Sequence, residues 1–561
     1  MSILSRRNFI ATTSLSLAGT VFATRRMFAQ PASVIRLSAD VFRSGRAADA
    51  FFPAALPAKT LQELAANAID AARHAGASYA DVRVAEQHTL FVSLQFGVPA
   101  VSMHTTFAYG VRVIVDGAWA FAHGEIPSAD AVTTAAIRAV NGARGYAPLM
   151  TERVDRVSTP AVTGEWATPI TVDPFTIPFE NQAALLNAFG EAAQRVNHSG
   201  GGEASFNWRR ETRVFASSEG GLTTQTFWRA EPKFDVMSWF GMGGVRLTLP
   251  HFSAMSGGYE TVVGAERQEQ ITELAEEAAR FAALPRRKLD VGRYPVIFDG
   301  RTCGIALSLF FGSGLEADRA LGYDGDAAGP TVLSPPETLL GTVMTSPALT
   351  VTAHRGLPTA NAVKWDDEGV VTSAYPVVQR GTLVNYHTSR QTAAALNTLG
   401  AAKNAATATH STGCAYAPEA DHPVLIRAPH LVMEPSSSRA TLDDLCKAMG
   451  RGILVRDGTY FQSDPQFASG ELPCGTPFTG VVLEIDKGKI VRRIEGNNLQ
   501  YTARPFWNSL VAVGDRGTVY DATTETDKGY PWRSVIQTTS APAALFKEAN
   551  VIVNKYYLPR H

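Results

Sequence analysis

The stretch from residue 300 to residue 318 constrains this 561-residue chain more than any other segment. It follows an apolar run at residues 294–298 that is typical of a β-strand, and it continues with apolar residues interrupted by small ones. It ends in Gly314-Leu315-Glu316-Ala317-Asp318. The order predicts a strand followed by a helix, with the carboxylates of Glu316 and Asp318 at the end of that helix.

The first half of the chain alternates helical and strand patterns. Six apolar residues share one face of a helix that ends near Gly76, and Thr60 with Glu63 is predicted to cap its start. Strands are predicted at residues 82–84 and 90–94, and a hairpin at 111–122 turns at Asp116-Gly117. Further helices are predicted near residues 129–143, 183–196 and 265–283. This order predicts an α+β domain.

The first thirty residues are predicted to be an export signal. They contain the twin-arginine pattern Ser5-Arg6-Arg7-Asn8-Phe9-Ile10. An apolar run at residues 10–23 and small residues near Ala29 follow it, and residues 31–57 form a linker rich in Pro and Ala. Because no later stretch reaches the ~18 apolar residues needed to span a bilayer, we expect a soluble periplasmic or secreted protein.

Composition argues against nucleic-acid binding and against a cysteine-based zinc site. A net charge of −1 gives no basic footprint for nucleic acid. None of the four cysteines lies in a Cys-x-x-Cys pair, which argues against a cysteine-based zinc site. We predict buried free thiols, although an oxidising compartment would permit disulfides whose pairing the sequence does not give. The four are Cys303, Cys414, Cys446 and Cys474.

The segment at residues 300–318 resembles the signature of the TldD/PmbA family, also called modulator-of-gyrase proteins. That signature reads apolar-His-Glu-x-x-x-His-x-Leu-Glu-x-Asp, and residues 314–318 match its end. Lys364-Trp365-Asp366-Asp367-Glu368-Gly369 resembles a second family phrase, and residues 77–84 and 110–122 resemble the family's opening strand and hairpin. The resemblance covers nearly all of the mature chain.

The resemblance implies a two-domain α+β fold. An N-terminal α+β domain would span residues 58–290. A mostly β C-terminal domain, residues 291–561, would carry the former metal helix. Family members form dimers around a central cavity, some pair an intact subunit with a metal-free one, and the active complexes degrade unfolded peptides.

In an intact member, the two His side chains and a cysteine near the C-terminus hold zinc, while the Glu acts as general base. Here Ser308, Leu309 and Ser313 stand at the His, Glu and His positions. Lys528 corresponds to the cysteine, and no cysteine follows Cys474. The resemblance therefore predicts that this chain holds no metal at the motif and needs no cofactor.

Two other catalytic sites and one acidic site are possible from the sequence. No two histidines are closer in sequence than His422 and His430, so a zinc site would have to assemble from distant residues. A serine paired with Lys528 is a second route, because a desolvated lysine can serve as a base. Asp366, Asp367 and Glu368 are predicted to form a solvated turn, with an acidic metal or substrate site as the alternative.

The sequence therefore favours an exported, non-catalytic member of the family. Gly314, Glu316 and Asp318 are its candidate cleft residues, although the two carboxylates could instead tie the helix end to backbone amides. The expected partners are unfolded or extended peptides, and a second subunit in a homodimer or in a heterodimer with an intact family member. The alternatives are an active peptidase with a non-standard metal or Ser–Lys site, and a structural or assembly factor.

Overall fold

The computed structural model describes residues 35–36, 45–95, 97–241, 243–264, 266–324, 331–401, 410–458, 462–464, 469–474, 480–529 and 533–553. The predicted export signal, residues 1–30, lies outside the described residues, as does most of the predicted linker before residue 45. None of the described helices combines the length and the apolar character needed to cross a bilayer.

Helices are distributed through both halves of the chain. The described residues form α1 (Ala58–His74), α2 (Ala129–Tyr146), α3 (Phe179–Gln194), α4 (Glu266–Ala282), α5 (Gly300–Leu307), α6 (Ala317–Ala320), α7 (Pro336–Leu339), α8 (Arg390–Thr398), α9 (Leu442–Met449) and α10 (Ala503–Asn508).

The first half forms one nine-stranded sheet whose long strands are antiparallel and whose strand β5 pairs with β7 in parallel. Its strands are β1 (Ile35–Arg36), β2 (Tyr79–Gln95), β3 (Val98–Val115), β4 (Ala118–Gly124), β5 (Thr163–Ala167), β6 (Ser199–Ser217), β7 (Leu222–Phe240), β8 (Gly243–Thr248) and β9 (Met255–Ser256). The main order is β1-β3-β2-β6-β7-β5, with β4 paired to β3 and both β8 and β9 paired to β7. Helices α1 and α2 pack together on β2 and β3.

Most of the local predictions for this half are confirmed. The six apolar residues predicted to share a face of α1 are all buried: Leu61, Leu64, Ala65, Ala68, Ile69 and Ala72. The hairpin of β3 and β4 turns at Asp116 and Gly117, whose φ angles are 50° and 79°, the left-handed region that such turns require. The predicted cap is wrong. Helix α1 begins at Ala58, so Thr60 is its third residue and lies inside the helix instead of capping it. The strands predicted at 82–84 and 90–94 are one strand, β2.

The second half forms a ten-stranded sheet and a six-stranded sheet. The larger contains β10 (Arg286–Arg287), β11 (Gly292–Phe298), β18 (Gly452–Arg456), β19 (Gln462–Asp464), β20 (Ser469–Pro473), β21 (Val481–Asp486), β22 (Lys489–Ile494), β23 (Asn497–Thr502), β24 (Leu510–Val513) and β27 (Ala544–Val553). The smaller contains β12 (Val351–His354), β13 (Tyr375–Gln379), β14 (Thr382–Leu383), β17 (His430–Met433), β25 (Tyr520–Lys528) and β26 (Arg533–Ala541). A two-stranded ribbon joins β15 (Ala415–Tyr416) to β16 (Leu425–Ile426).

The predicted α+β class is confirmed, and the two halves share a hydrophobic core. Ile297, Leu454 and Leu483 of the ten-stranded sheet belong to the same buried cluster as Phe206 and Trp208 of the first sheet. The strands of the first sheet end at Ser256 and those of the second half begin at Arg286. The four cysteines are buried free thiols, as predicted.

Candidate functional site

Helix α5 and the turn that follows it lie directly on β25 and β26. A Cβ on Gly304 would come within 2.8 Å of Thr539 Oγ1, and one on Gly312 would overlap the side-chain amide of Gln537. Ser308 lies midway between these glycines, four residues from each, which is the spacing of one helical face. The small-residue face therefore turns Ser308 into the sheet.

The predicted motif positions lie where α5 loses its regular geometry. Residues 308–312 form one π-helical turn and residues 313–315 a 3₁₀ turn. Glu316 then pairs with His387 in an isolated bridge before the short helix α6 begins. Such π turns inside helices are frequent at functional sites, and here the turn carries Ser308 and Leu309 in place of metal ligands.

Ser308, Leu309 and Ser313 have different surroundings. The Ser308 hydroxyl is fully buried and lies 2.6 Å from Thr524 Oγ1 and 2.8 Å from Gln537 Oε1. Leu309 and Ser313 are half-buried, and the Ser313 Oγ makes no hydrogen bond with any described residue. The sequence left open a serine paired with Lys528, but Ser308 contacts Thr524 and Gln537 of the sheet instead.

Lys528, at the end of β25, is the centre of a buried ion cluster with Glu316 and Asp318. Its ammonium lies 2.6 Å from Glu316 Oε2, 2.8 Å from Asp318 Oδ1 and 2.9 Å from the carbonyl oxygen of Ile426. These three acceptors use all three N–H donors of a lysine. The side chain of Lys528 is 2% exposed, so this charge is held by the protein and not by solvent.

The remaining carboxylate oxygens of the cluster are also occupied. Glu316 Oε1 accepts hydrogen bonds from Arg427 Nη1 at 3.3 Å and from the Ala428 amide at 3.2 Å. Asp318 accepts from the amides of Arg319 at 2.9 Å and Ile426 at 3.3 Å. These backbone contacts are those expected if the two carboxylates tie the helix end.

Gly314, the third predicted cleft residue, is buried one turn before this cluster. Its carbonyl oxygen accepts a hydrogen bond from Thr331 Oγ1 at 2.9 Å, and a Cβ on Gly314 would contact the side chain of Leu333 at 3.2 Å. The glycine thus allows close packing between the 3₁₀ turn and the segment after α6.

The protonation states follow from these contacts. Burial alone would lower the pKa of Lys528, but the charges of Asp318 and Glu316 outweigh burial and the pKa lies above its ordinary value. Burial would raise the pKa of Glu316, but Lys528 and Arg427 hold it below its ordinary value. Nearby, burial raises the pKa of Asp324 to about 6. Lys528 is therefore charged, and it is paired with charged Glu316.

This arrangement does not fit the zinc ion of the family motif. Zinc binds imidazole, thiolate or carboxylate groups, and Ser308, Leu309 and Ser313 supply none of them. The two carboxylates that remain, Glu316 and Asp318, already balance the charges of Lys528 and Arg427. A divalent ion here would add two positive charges to a neutral cluster.

A nearby histidine does not rebuild the site. His387 is fully buried, and burial lowers its pKa to about 4. Its Nε2 lies 2.9 Å from the carbonyl oxygen of Phe311 and its Nδ1 lies 2.7 Å from the Tyr375 hydroxyl. Nε2 therefore donates to the carbonyl and Nδ1 accepts from the hydroxyl, so neither nitrogen is free to bind a metal.

The geometry also gives no support to a Ser–Lys pair. A general base must be neutral and within reach of the hydroxyl that it deprotonates. Lys528 is held in its charged form by Asp318 and Glu316, and its three N–H groups have other acceptors. The serine that comes closest to the sheet, Ser308, bonds Thr524 and Gln537 instead.

The acidic turn at Asp366, Asp367 and Glu368 is not solvated, and that prediction is wrong. All three residues are buried. Arg213 Nη1 lies 2.9 Å from Asp367 Oδ1, and Arg112 Nη2 lies 2.9 Å from Glu368 Oε1. Both arginines come from strands of the first sheet, so the turn is an ionic contact between the two halves of the molecule.

Sequence reasoning missed two members of the site. Arg427 and His387 contact Glu316 across more than seventy residues of chain, and no local pattern marks either of them. The contact of α5 with the sheet could have been predicted from the sequence. Gly304, Ser308 and Gly312 recur every four residues, which places small side chains on one helix face that can pack closely on its neighbour.

Comparisons with known proteins identify the fold and the family of the C-terminal half. Residues 291–553 match the model of the PmbA/TldA metallopeptidase C-terminal domain. No curated protein matches the chain at a significant level.

Three solved structures share the fold. A protein from Thermotoga maritima named as a modulator of DNA gyrase aligns with a TM-score of 0.65 at 14% identity, over 87% of this chain and 99% of its own. A protein of the same name from Bacteroides thetaiotaomicron gives 0.62 at 15%, over 88% and 99%. TldE from Thermococcus kodakarensis gives 0.62 at 14%, over 87% and 100%. At these identities the structures establish the fold alone. The match over residues 291–553 identifies the C-terminal half of the chain as a PmbA/TldA metallopeptidase C-terminal domain, as the resemblance in the sequence predicted.

Proposed function

We propose that this protein is a non-catalytic member of the family that binds unfolded or extended peptides. The observation that carries the proposal is the Lys528 ammonium, bonded to both Glu316 and Asp318 beside the degenerate motif. A protein-borne cation neutralises the carboxylates there, and the motif offers neither a metal ligand nor a free base. Peptide binding is then separate from peptide cleavage.

The free edge of β25 supports the peptide-binding part of the proposal. β25 is the last strand of the six-stranded sheet and pairs only with β26 among the described strands. Its exposed residues, Glu525 and Asp527, alternate with buried Thr524 and Lys528. An extended peptide can add to such an edge through main-chain hydrogen bonds, which give affinity with little sequence selectivity.

Export and subunit pairing complete the proposal. The twin-arginine pattern at Arg6 and Arg7 would place the folded protein in the periplasm or outside the cell. There it would act as a homodimer or pair with an intact family member that supplies cleavage. Replacing both arginines with lysine should keep the protein in the cytoplasm in cell fractionation, while a wild-type signal releases it.

The test measures binding and cleavage on one substrate. Fluorescein-labelled unfolded casein peptide is mixed with the purified protein, anisotropy reports binding, and electrophoresis reports cleavage. We expect saturable binding and no cleavage. The matched control is the same peptide N-methylated at alternate residues. It should bind at least about tenfold more weakly, because each blocked main-chain hydrogen bond is worth ~0.5–1.5 kcal/mol.

The alternatives predict other results. Cleavage that a chelator blocks would identify an active metallopeptidase, and cleavage lost in Ser313→Ala or Lys528→Ala would identify a serine peptidase. Absence of binding to any unfolded peptide would leave a structural or assembly role. Equal binding of the methylated and unmethylated peptides would show that the β25 edge is not the binding surface.

A further inference from the structure

A second group of metal-binding side chains lies outside the former metal helix. Glu419, Asp421 and His422 stand on the loop between β15 and β16, and one ligand atom from each lies within 4.8 Å of the others. His422 Nδ1 is 3.1 Å from Asp421 Oδ1 and 4.0 Å from Glu419 Oε2. No other such group of three is found within the ranges that the structure describes.

The facing atoms lack hydrogen bonds although they are buried. His422 is 9% exposed, and among the described residues no hydrogen-bond partner is found for its Nδ1 or for Asp421 Oδ1. When His422 Nδ1 carries no proton, it and the two carboxylates present only lone pairs to one another. Three converging lone pairs call for a positive charge between them, either a proton on His422 or a cation.

The loop is fixed in place before any ligand arrives. Arg213 Nη1 donates to the carbonyl oxygen of Ala417 at 2.9 Å, and Arg83 Nη2 donates to that of His422 at 3.4 Å. A Cβ on Gly110 of β3 would come within 2.4 Å of the Ala420 carbonyl oxygen, so the first sheet touches the loop backbone. Such support keeps a ligand set in one geometry.

The supporting arginines do not leave the loop positively charged. Arg83 pairs with Asp81, and Arg213 pairs with Glu211 and Asp367. Both guanidiniums therefore reach the loop already paired with carboxylates that lie outside it. The loop's own two carboxylates are free of that pairing.

A second imidazole lies beside the loop, on β4 of the first sheet. His123 is exposed and stacks on Phe121 with ring centroids 5.7 Å apart. It lies opposite Gly110 in the pairing of β3 with β4, and Gly110 is the residue whose Cβ would touch the Ala420 carbonyl oxygen. An exposed histidine next to the loop can change rotamer and supply a fourth ligand.

We propose that Glu419, Asp421 and His422 bind a divalent transition-metal ion, zinc in the first place, with His123 as the fourth ligand. One or two imidazoles with carboxylate oxygens are ligands that zinc accepts in tetrahedral sites. Cobalt(II) has the same preferences and can stand in for zinc as a coloured probe. The site joins the loop to β4 and is independent of the Lys528 cluster.

The experiment uses the whole protein, freed of metal by chelator and titrated with Co²⁺. We expect about one equivalent to bind with visible absorption bands, to be displaced by Zn²⁺, and to raise the melting temperature. His422→Ala and Asp421→Asn should each weaken Co²⁺ binding ~10-fold or more. Even the mutation of a residue that only supports a metal ligand lowers metal affinity by about 10–100-fold. His123→Ala should weaken it less, and His251→Ala, an exposed histidine elsewhere, should change nothing.

Several outcomes overturn the proposal. It fails if the wild-type protein binds no Co²⁺ at 100-fold excess, or if His422→Ala and Asp421→Asn bind as the wild type does while melting normally without metal. If the metal binds through these residues and the protein does not cleave casein, the result supports this site and leaves the proposed function intact. Cleavage that His422→Ala abolishes supports the site and overturns the proposed function.

Discussion

Two groups of buried carboxylates neutralise their charge in different ways. Glu316 and Asp318 receive a lysine from β25 of the same half, 212 and 210 residues away in sequence. Asp367 and Glu368 receive arginines from β6 and β3 of the other half, 154 and 256 residues away. The first pairing neutralises the carboxylates beside the degenerate motif, whereas the second joins the halves.

The two regions differ in how many cations compensate each buried carboxylate. Lys528 offers three donors and meets three acceptors, so its removal takes three hydrogen bonds from the cluster and leaves Arg427 as the cation that contacts Glu316. The acidic turn is surrounded by several arginines and backbone amides. When one arginine is removed, the others still compensate part of the charge of the turn. Stability measurements can therefore rank the two regions.

The largest effect is expected for Lys528→Met. It leaves Glu316 and Asp318 buried with one cation fewer, and breaking a buried pair in this way costs about 3–5 kcal/mol. Chemical denaturation of the wild type and the variant measures the loss. Lys59→Met, at a lysine whose side chain is 84% exposed, is the control and should unfold like the wild type. A loss under about 1 kcal/mol for Lys528→Met would show that solvent, and not the ammonium, compensates the carboxylates.

Arg213→Met should destabilise less, by about 2–3 kcal/mol. Its partners keep other cations, because Asp367 also feels the charge of Arg83 and Glu211 lies 3.5 Å from Arg229. Denaturation should in addition become less cooperative, since the contact joins the two halves. A loss larger than that of Lys528→Met would reverse the ranking of the two regions.

The acidic turn should also give the protein a pH dependence. Burial, and then the charge of Glu368, raises the pKa of Asp366 to about 7, above the ~3.9 of an unfolded aspartate. The stability that this group contributes is complete below the unfolded value and is lost as pH rises towards 7. Wild-type unfolding free energy should fall between pH 5 and pH 7.5 more than that of Asp366→Asn. The exposed Asp443→Asn should keep the wild-type slope, and equal slopes for all three would refute the assignment.

Ser308→Ala should have the smallest effect, about 1 kcal/mol. It removes the hydroxyl between Thr524 and Gln537 without changing any charge. Peptide affinity should stay the same, because Ser308 is fully buried against the sheet. A variant that melts normally but no longer binds peptide would show that Ser308 belongs to the peptide site.

Sequence patterns predicted what is local and missed what is distant. The face of α1, the β3–β4 hairpin and the family of the C-terminal half could be read because periodicity, turn residues and the motif's end lie within short stretches. The carboxylates at residues 316, 318 and 366–368 could be flagged, but not their partners. The acidic turn was predicted to be solvated because charged residues are usually exposed, and only the arginines of the first sheet explain its burial.

The central claim is that Lys528, and not a metal, neutralises the former metal site. Its most direct test is the zinc content of purified His422→Ala protein by mass spectrometry, together with casein cleavage, because that variant removes the proposed second site. The account predicts less than about one tenth of an equivalent of zinc and no cleavage. Close to one equivalent with chelator-sensitive cleavage would contradict it, because with His422 removed the metal would have to be bound at the degenerate helix.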